Sequence, residues 1–80
     1  MYYYLVTFKA TIDGLKTEYG KLGASIAEKD EDIAMNKVKK EAERRCRTVY
    51  PDANQVIVII MDVEEVSDEN EINARGRFKP

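Results

Sequence analysis

The sequence predicts a two-layer α+β domain of ββαβ order, with one helix packed on one face of a three-stranded antiparallel sheet. The segments follow one another as strand, strand, helix and strand, and the Asp-Gly pair at 13–14 favours a hairpin between the first two. After the helix the third strand returns beside the first, which gives the strand order 2-1-3. We expect one domain over residues 1–66 and a polar C-terminal tail over residues 67–80 that is mobile or forms a short helix.

The first strand is predicted over residues 2–12, "YYYLVTFKATI", because aromatic and β-branched side chains favour a pleated surface and the even positions form an apolar face. If the next turn is tight, Ile12 and Leu15 lie opposite each other. The later apolar residues fall in the opposite phase: Leu22, Ala24 and Ile26. We therefore expect a bulge or break at Gly20 and a second strand near residues 21–27.

The segment "EKDEDIAMNKVKKEAERRCRTVYP" predicts the one substantial helix, with Asp30 as its N-cap and Pro51 as its stop. Acidic residues follow the cap, where the helix dipole favours negative charge. Apolar residues recur at helical spacing along one stripe: Met35, Val38, Ala42, Cys46 and Val49. This stripe is expected to pack on the sheet, which makes Cys46 a small buried hydrophobe rather than a nucleophile.

The third strand, "QVIVIIMDVEEV", is apolar on both phases from Val56 to Met61, and Asp62 breaks only the even phase. The interpretation that follows places Ile57, Ile59, Met61 and Val63 under the helix. The far face then holds an apolar patch made of Tyr3, Leu5, Thr7, Val56, Val58 and Ile60. Such a patch usually marks an interface, so homodimerisation through the sheet is favoured over coverage by a tail that folds back with Ile72 or Phe78.

The composition restricts the classes of function. The net charge is −2, with an excess of two positive charges in residues 1–50 and of four negative charges in residues 51–80, whereas nucleic-acid binders are usually basic. The chain has one cysteine, no histidine and no apolar run long enough for a membrane span. We expect a soluble cytoplasmic protein that is not an enzyme, binds no metal or cofactor, and does not insert in a membrane.

A basic stripe on the helix is the main candidate for contact with a partner or a nucleic acid. The stripe consists of Lys37, Lys40, Arg44 and Arg47, and it lies almost opposite the apolar stripe. The plainer interpretation is a solvated helix face, because Glu41 and Glu43 precede Arg45 and Arg47 by four residues. Lys40 and Arg44 are like charges four residues apart, which an anionic partner such as RNA, DNA or an acidic protein surface would relieve.

Acidic residues cluster after the third strand and are a second candidate contact surface. The cluster consists of Asp62, Glu64, Glu65, Asp68 and Glu69, with Glu71 beside it. Its spacing does not match a calcium loop. It is a solubilising tail, an imitation of a phosphate backbone that occupies a basic groove on a partner, or both.

The run "ASIAEKDEDIAMNKVKKEAERRCRTVYPDANQVIVIIMDVEEV" resembles a pattern of small phage and mobile-element accessory proteins, among them anti-CRISPR proteins. In these proteins a strand precedes an acidic cap, a Lys-rich helix, a "YPDA"-type turn and a valine-rich strand. The resemblance implies a non-enzymatic inhibitor or modulator that binds a host protein or nucleoprotein complex. The alternatives are a nucleic-acid-binding domain that uses the basic stripe and a structural component of a larger assembly.

Overall fold

The computed structural model describes residues 1–79, which form an open antiparallel sheet and two helices. The elements in chain order are β1 (Tyr2–Ile12), β2 (Lys16–Ile26), α1 (Glu31–Val49), β3 (Val56–Val66) and α2 (Glu69–Arg75). The strand order is β2-β1-β3, so the predicted α+β fold and its strand order are confirmed. Neither helix of the described chain has the length and the hydropathy that a membrane span requires.

The hairpin of β1 and β2 pairs in one unbroken register, from Tyr2 opposite Ile26 to Ile12 opposite Lys16. The predicted bulge at Gly20 is therefore wrong. A three-residue turn absorbs the change of phase instead, with Asp13 and Gly14 in the left-handed region at φ 52° and φ 68°. The third turn residue is Leu15, which is 92% exposed. The one extra residue places the apolar positions of β2 opposite those of β1.

Helix α1 begins where the sequence predicts, because the carboxylate of Asp30 accepts hydrogen bonds from the amides of Asp32 and Ile33. Its buried side chains recur every four residues and are small: Ala34, Val38, Ala42 and Cys46. Small side chains let the helix backbone lie close to the sheet. The same spacing leads to Tyr50, which packs against the core, and so Val49, expected in the stripe, is exposed.

The predicted orientation of β3 is wrong, because its pairing with β1 changes register between Thr7 and Phe8. Phe8 pairs with Ile60 and Thr7 pairs with Asp62, so Met61 is the extra residue of a β-bulge. A bulge reverses the alternation of side chains. Two apolar sets that seemed to lie on opposite faces therefore share the face under α1: Val56, Val58 and Ile60 before the bulge, and Val63 after it. Three side chains placed under the helix by the sequence face outward instead: Ile57, Ile59 and Met61.

The C-terminal segment packs against the sheet. Asp68 caps α2 by accepting a hydrogen bond from the amide of Glu71 at 3.0 Å. The side chain of Ile72 lies over Gly23, in the space that a Cβ atom at residue 23 would occupy. Gly23 pairs with Leu5, whose side chain points away from α1, so α2 covers this end of the outer face of the sheet.

After α2 the chain crosses the edge of β2 to the opposite face. The backbones of Arg77 and Lys21 exchange two hydrogen bonds, which adds a one-residue bridge to that edge. The ring of Phe78 then packs against Phe8 and above Gly20, on the side where α1 lies. The segment thus contacts both faces of the sheet. We call residues 76–78 the C-terminal strap.

Candidate functional site

The outer face of the sheet, opposite α1, carries exposed apolar side chains at one end. In the pairing register Ile59 lies beside Lys9, and Lys9 lies beside Tyr19. The exposed fractions are 44% for Ile57, 46% for Ile59, 56% for Met61 and 67% for Tyr19. These four residues form the surface that we call the open patch.

The other end of the outer face is covered by α2. Leu5 is buried there, and an ion pair between Arg75 and Glu64 closes the rim with two contacts of 3.0 Å and 2.7 Å. The hydrogen bonds from Arg75 lower the pKa of Glu64 below its ordinary value. The outer face of the sheet therefore has two parts: one end is covered by α2, and the other end carries the open patch.

The structure separates the six residues that were predicted as a sheet-face contact. Three of them lie on the outer face: Tyr3, Leu5 and Thr7. Leu5 is buried and the other two are half-buried. The other three, Val56, Val58 and Ile60, pack under α1, so their assignment to the outer face is wrong. The physical reason is the bulge at Met61. It reverses the alternation of side chains, so that Val56, Val58 and Ile60 lie on the same face as Val63.

The basic stripe of α1 faces solvent, but most of its charges have partners within the chain. Arg44 makes two hydrogen bonds to Glu41, of 3.1 Å and 2.6 Å, and Arg47 bonds Glu43 at 3.2 Å. The ammonium group of Lys37 donates to a backbone carbonyl of β2 at 3.0 Å. Neither Lys37 nor Lys40 has an acidic group within 4.0 Å in the described chain, and Lys40 makes no side-chain hydrogen bond there either.

Glu41 is the electrostatic centre of this helix face. It also accepts a hydrogen bond from Arg45 at 2.9 Å. The hydrogen bonds from Arg44 and then from Arg45 lower the pKa of Glu41 to about 2. The two ion pairs expected four residues apart, from Glu41 to Arg45 and from Glu43 to Arg47, are both present. Acidic groups of the same helix thus pair with two of the four charges of the stripe, those of Arg44 and Arg47.

The acidic cluster is also tied to the fold. Glu64 bonds Arg75, Glu65 lies 3.6 Å from the ammonium of Lys29, and Asp68 caps α2. Asp62 and Glu69 are exposed to solvent. Since three of the five predicted members hold other elements in place, only two carboxylates are left for outside contacts.

Cys46 lies on the face of α1 that packs on the sheet and is fully buried, and this burial raises the pKa of its thiol. Among residues 1–79 no three His, Cys, Asp or Glu side chains come together in a metal-binding arrangement. A surface depression of about 850 Å³ lies beside the C-terminal strap and is bordered by Arg45, Ile72 and Phe78.

Comparisons of the chain with protein-family models, with characterised proteins and with solved structures gave no match. The assignment of a function therefore depends on the exposed side chains of the open patch and on the charges of the basic stripe and the acidic cluster. Sequence reasoning missed the open patch because it assigned Ile57, Ile59 and Met61 to the face of β3 that packs under α1. The sequence gives no local signal for the bulge, because Asp62 and Val63 also fit an unbroken alternation.

Proposed function

We propose that this protein is a non-enzymatic binding module that docks on another protein through the open patch. The observation that carries the proposal is the exposure of Ile57, Ile59 and Met61 on β3. Tyr19 of β2 is exposed on the same face and is separated from them by Lys9 of β1. Exposed apolar residues that lie next to one another on a sheet typically mark a protein interface. Aromatic residues and methionine are enriched in such interfaces.

The charges around the open patch support docking on a protein rather than on a nucleic acid. Lys9 lies within the patch and Asp62 follows its edge, so both signs of charge are present. The basic stripe, which would serve nucleic-acid binding, has intrachain partners for Lys37, Arg44 and Arg47. Phosphate contacts require cations that are free to replace counterions.

The most specific version of the proposal is a phage-type modulator of a host protein or nucleoprotein complex. Its support is the resemblance to small accessory proteins, together with a fold in which a surface patch is the main chemical feature. In this version the protein acts by occupying a surface on its target in a one-to-one complex. The target surface would be apolar at its centre, with mixed charge at its rim.

The test is affinity capture from a lysate of the native host, with the retained proteins identified by mass spectrometry. Ile59→Lys places a charge in the centre of the patch and should abolish capture of the stoichiometric partner. The matched control is Leu15→Lys, which adds the same charge at a residue that is 92% exposed in the β1–β2 turn, outside the patch.

The expected result is one partner that wild type and Leu15→Lys retain in equal amounts and that Ile59→Lys loses. Urea unfolding of each variant shows whether Ile59→Lys is folded, since a surface substitution changes stability by about 0.5 kcal/mol or less. A partner that a folded Ile59→Lys variant retains unchanged would contradict docking through the open patch.

A further inference from the structure

The two edges of the sheet differ in how their backbone groups are used. At the β2 edge, Lys21 exchanges two hydrogen bonds with Arg77, and the carbonyl of Ser25 accepts from Lys37 at 3.0 Å. At the β3 edge, the described chain offers no partner, backbone or side chain, for the outward groups of Val56–Ile60. An unpaired strand edge is a template for another strand.

The pairing with β1 identifies which groups point out of the sheet. Facing residues of an antiparallel ladder alternate between hydrogen-bonded and non-hydrogen-bonded pairs. The amide of Asp13 donates to the carbonyl of Gln55 at 2.8 Å, in line with the β1–β3 register. Since Gln55 belongs to a hydrogen-bonded pair, every second residue after it does too. The NH and C=O groups of Ile57 and Ile59 therefore point toward β1. The NH and C=O groups at the open edge belong to Val56, Val58 and Ile60.

This edge segment is complementary to itself. If two copies pair antiparallel about an axis at Val58, Val58 faces its own copy and Val56 faces Ile60 of the second copy. All three are residues whose groups point outward, so about six hydrogen bonds form, two from each facing pair. Ile57 then faces Ile59 of the second copy in a non-hydrogen-bonded pair, where side chains approach most closely.

The charges of β3 select this register over its neighbours. Residues 56–60 contain no charge and no proline, and the acidic residues begin at Asp62. Moving the axis to Ile60 would set Val58 against Asp62 of the second copy and Val56 against Glu64. The axis at Val58 is the position at which the uncharged run pairs with itself over its full length.

We propose that β3 pairs antiparallel with β3 of a second copy about a two-fold axis at Val58, which makes a six-stranded sheet of order 2-1-3-3-1-2. Both α1 helices then lie on one side, and the open patches of the two copies join on the other. The inference concerns the strand edge and goes beyond the docking proposed above. Interfaces that bury less than roughly 1,200 Å² are typically weak, and a five-residue pairing falls in this class. We therefore expect a dissociation constant on the order of 10–100 µM.

The test places one methyl group on the amide nitrogen of Val58. Cys46 permits chemical ligation of residues 1–45 to a synthetic segment 46–80, so the modification leaves every side chain unchanged. The amide of Val58 points away from β1, and its methylation leaves the β1–β3 ladder intact. The control carries the N-methyl group on Glu69, the first residue of α2, whose amide has no acceptor within the helix.

Sedimentation equilibrium of the ligated proteins measures the association. We expect the 9.2 kDa chain to double its mass as concentration rises, with unchanged affinity for N-methyl-Glu69. N-methylation of Val58 removes two hydrogen bonds at the axis and should raise the dissociation constant at least about tenfold. A mass that stays at one chain up to about 1 mM, or equal association of the two modified proteins, would overturn the proposal.

Amide hydrogen exchange on the unmodified protein gives a second measurement. The amides of Val56, Val58 and Ile60 should become protected as concentration rises, whereas those of Ile57 and Ile59 are protected throughout. Protection of the edge amides that appears only with a different protein would overturn the pairing of two copies. Because N-methyl-Val58 retains Ile59, loss of dimerisation leaves capture of a partner through the open patch to be tested independently.

Discussion

The ring of Phe78 meets the ring of Phe8 edge-on, with 4.8 Å between the ring centroids and 80° between the ring planes. This contact joins the C-terminal strap to the centre of the sheet across 70 residues of sequence. Phe8 is fully buried and Phe78 is half-buried, so the strap closes the side of the core that α1 leaves open. The contact makes the C-terminal segment part of the domain.

Replacing Phe78 by alanine should destabilise the whole domain. A fully buried phenylalanine costs about 3–5 kcal/mol when truncated, and the half-buried ring of Phe78 should cost about 1–3 kcal/mol. The measurement is the free energy of unfolding in urea. Lys79→Ala, at the exposed neighbouring residue, is the control and should change stability by about 0.5 kcal/mol or less. Equal stabilities of the two variants would show that the strap does not close the core.

Adding a methyl group at Gly23 should displace α2 from the outer face. The new Cβ atom would collide with the side chain of Ile72, and overpacking of this kind costs about 1–3 kcal/mol. A double-mutant cycle with Ile72→Ala tests the cause. In the Ile72→Ala background, Gly23→Ala should cost less than in wild type, because the nearest atom, Cγ2 of Ile72, is gone and only its Cβ at 2.8 Å remains. A full cost in that background would place the collision elsewhere.

Asp13 connects the β1–β2 turn to the segment before β3, and its loss should weaken that connection. Its carboxylate accepts hydrogen bonds from the amides of Asn54 at 2.9 Å and Gln55 at 2.8 Å. Its backbone φ of 52° is also one that asparagine and aspartate tolerate best. We expect Asp13→Ala to lower the unfolding free energy by about 1–3 kcal/mol and Asp13→Asn by less than about 1 kcal/mol. Equal losses in urea unfolding would contradict the acceptor role.

The ion pairs of Glu41 should make stability depend on acid pH. The folded-state pKa of about 2 lies below the ordinary value of 4.5, so the contribution is complete above pH 4.5 and is lost as the pH falls toward 2. The carboxylate is 38% exposed, and screening by solvent keeps the effect below about 1 kcal/mol. Unfolding of wild type and Glu41→Gln at about pH 6 and about pH 2 measures it. A stability difference that is the same at both pH values would contradict this pairing.

The intrachain partners of the basic stripe predict weak affinity for nucleic acid. We expect no retention on a DNA or RNA column at about 50 mM salt, where phosphate contacts are strongest. Lys40→Glu is the informative variant, because Lys40 has no acidic neighbour within 4.0 Å in the described chain. Retention of the wild type that is lost in Lys40→Glu would instead favour the nucleic-acid-binding alternative.

Local features of the sequence are sufficient for the elements and their order. The cap at Asp30, the Asp-Gly turn and the period of the apolar residues depend on near neighbours, and each is present in the structure. The strand order follows from them, because a hairpin and one helical connection leave the third strand a place beside β1. The apolar stripe of α1 was predicted with Met35 and Val49 in place of Ala34, a displacement at the ends of the helix.

The open patch could not be predicted from local features of the sequence. The apolar run of β3 is compatible with either face, since both phases carry valine, isoleucine or methionine. Which phase lies under α1 is set by a one-residue bulge, and a bulge is stabilised by the packing on both sides of the strand rather than by its own residues. Three of the four residues of the open patch, Ile57, Ile59 and Met61, are therefore ones that the sequence placed under the helix.

The sequence by itself determined the helix, the strands, the order of the sheet and the ion pairs along α1, because these depend on residues close together in the chain. Tertiary structure alone decided which side chains of β3 are exposed and where the C-terminal segment binds. Both depend on contacts between residues far apart in sequence, such as Ile72 with Gly23 and Phe78 with Phe8. The energy of such contacts comes from burial and fit, which no local pattern encodes.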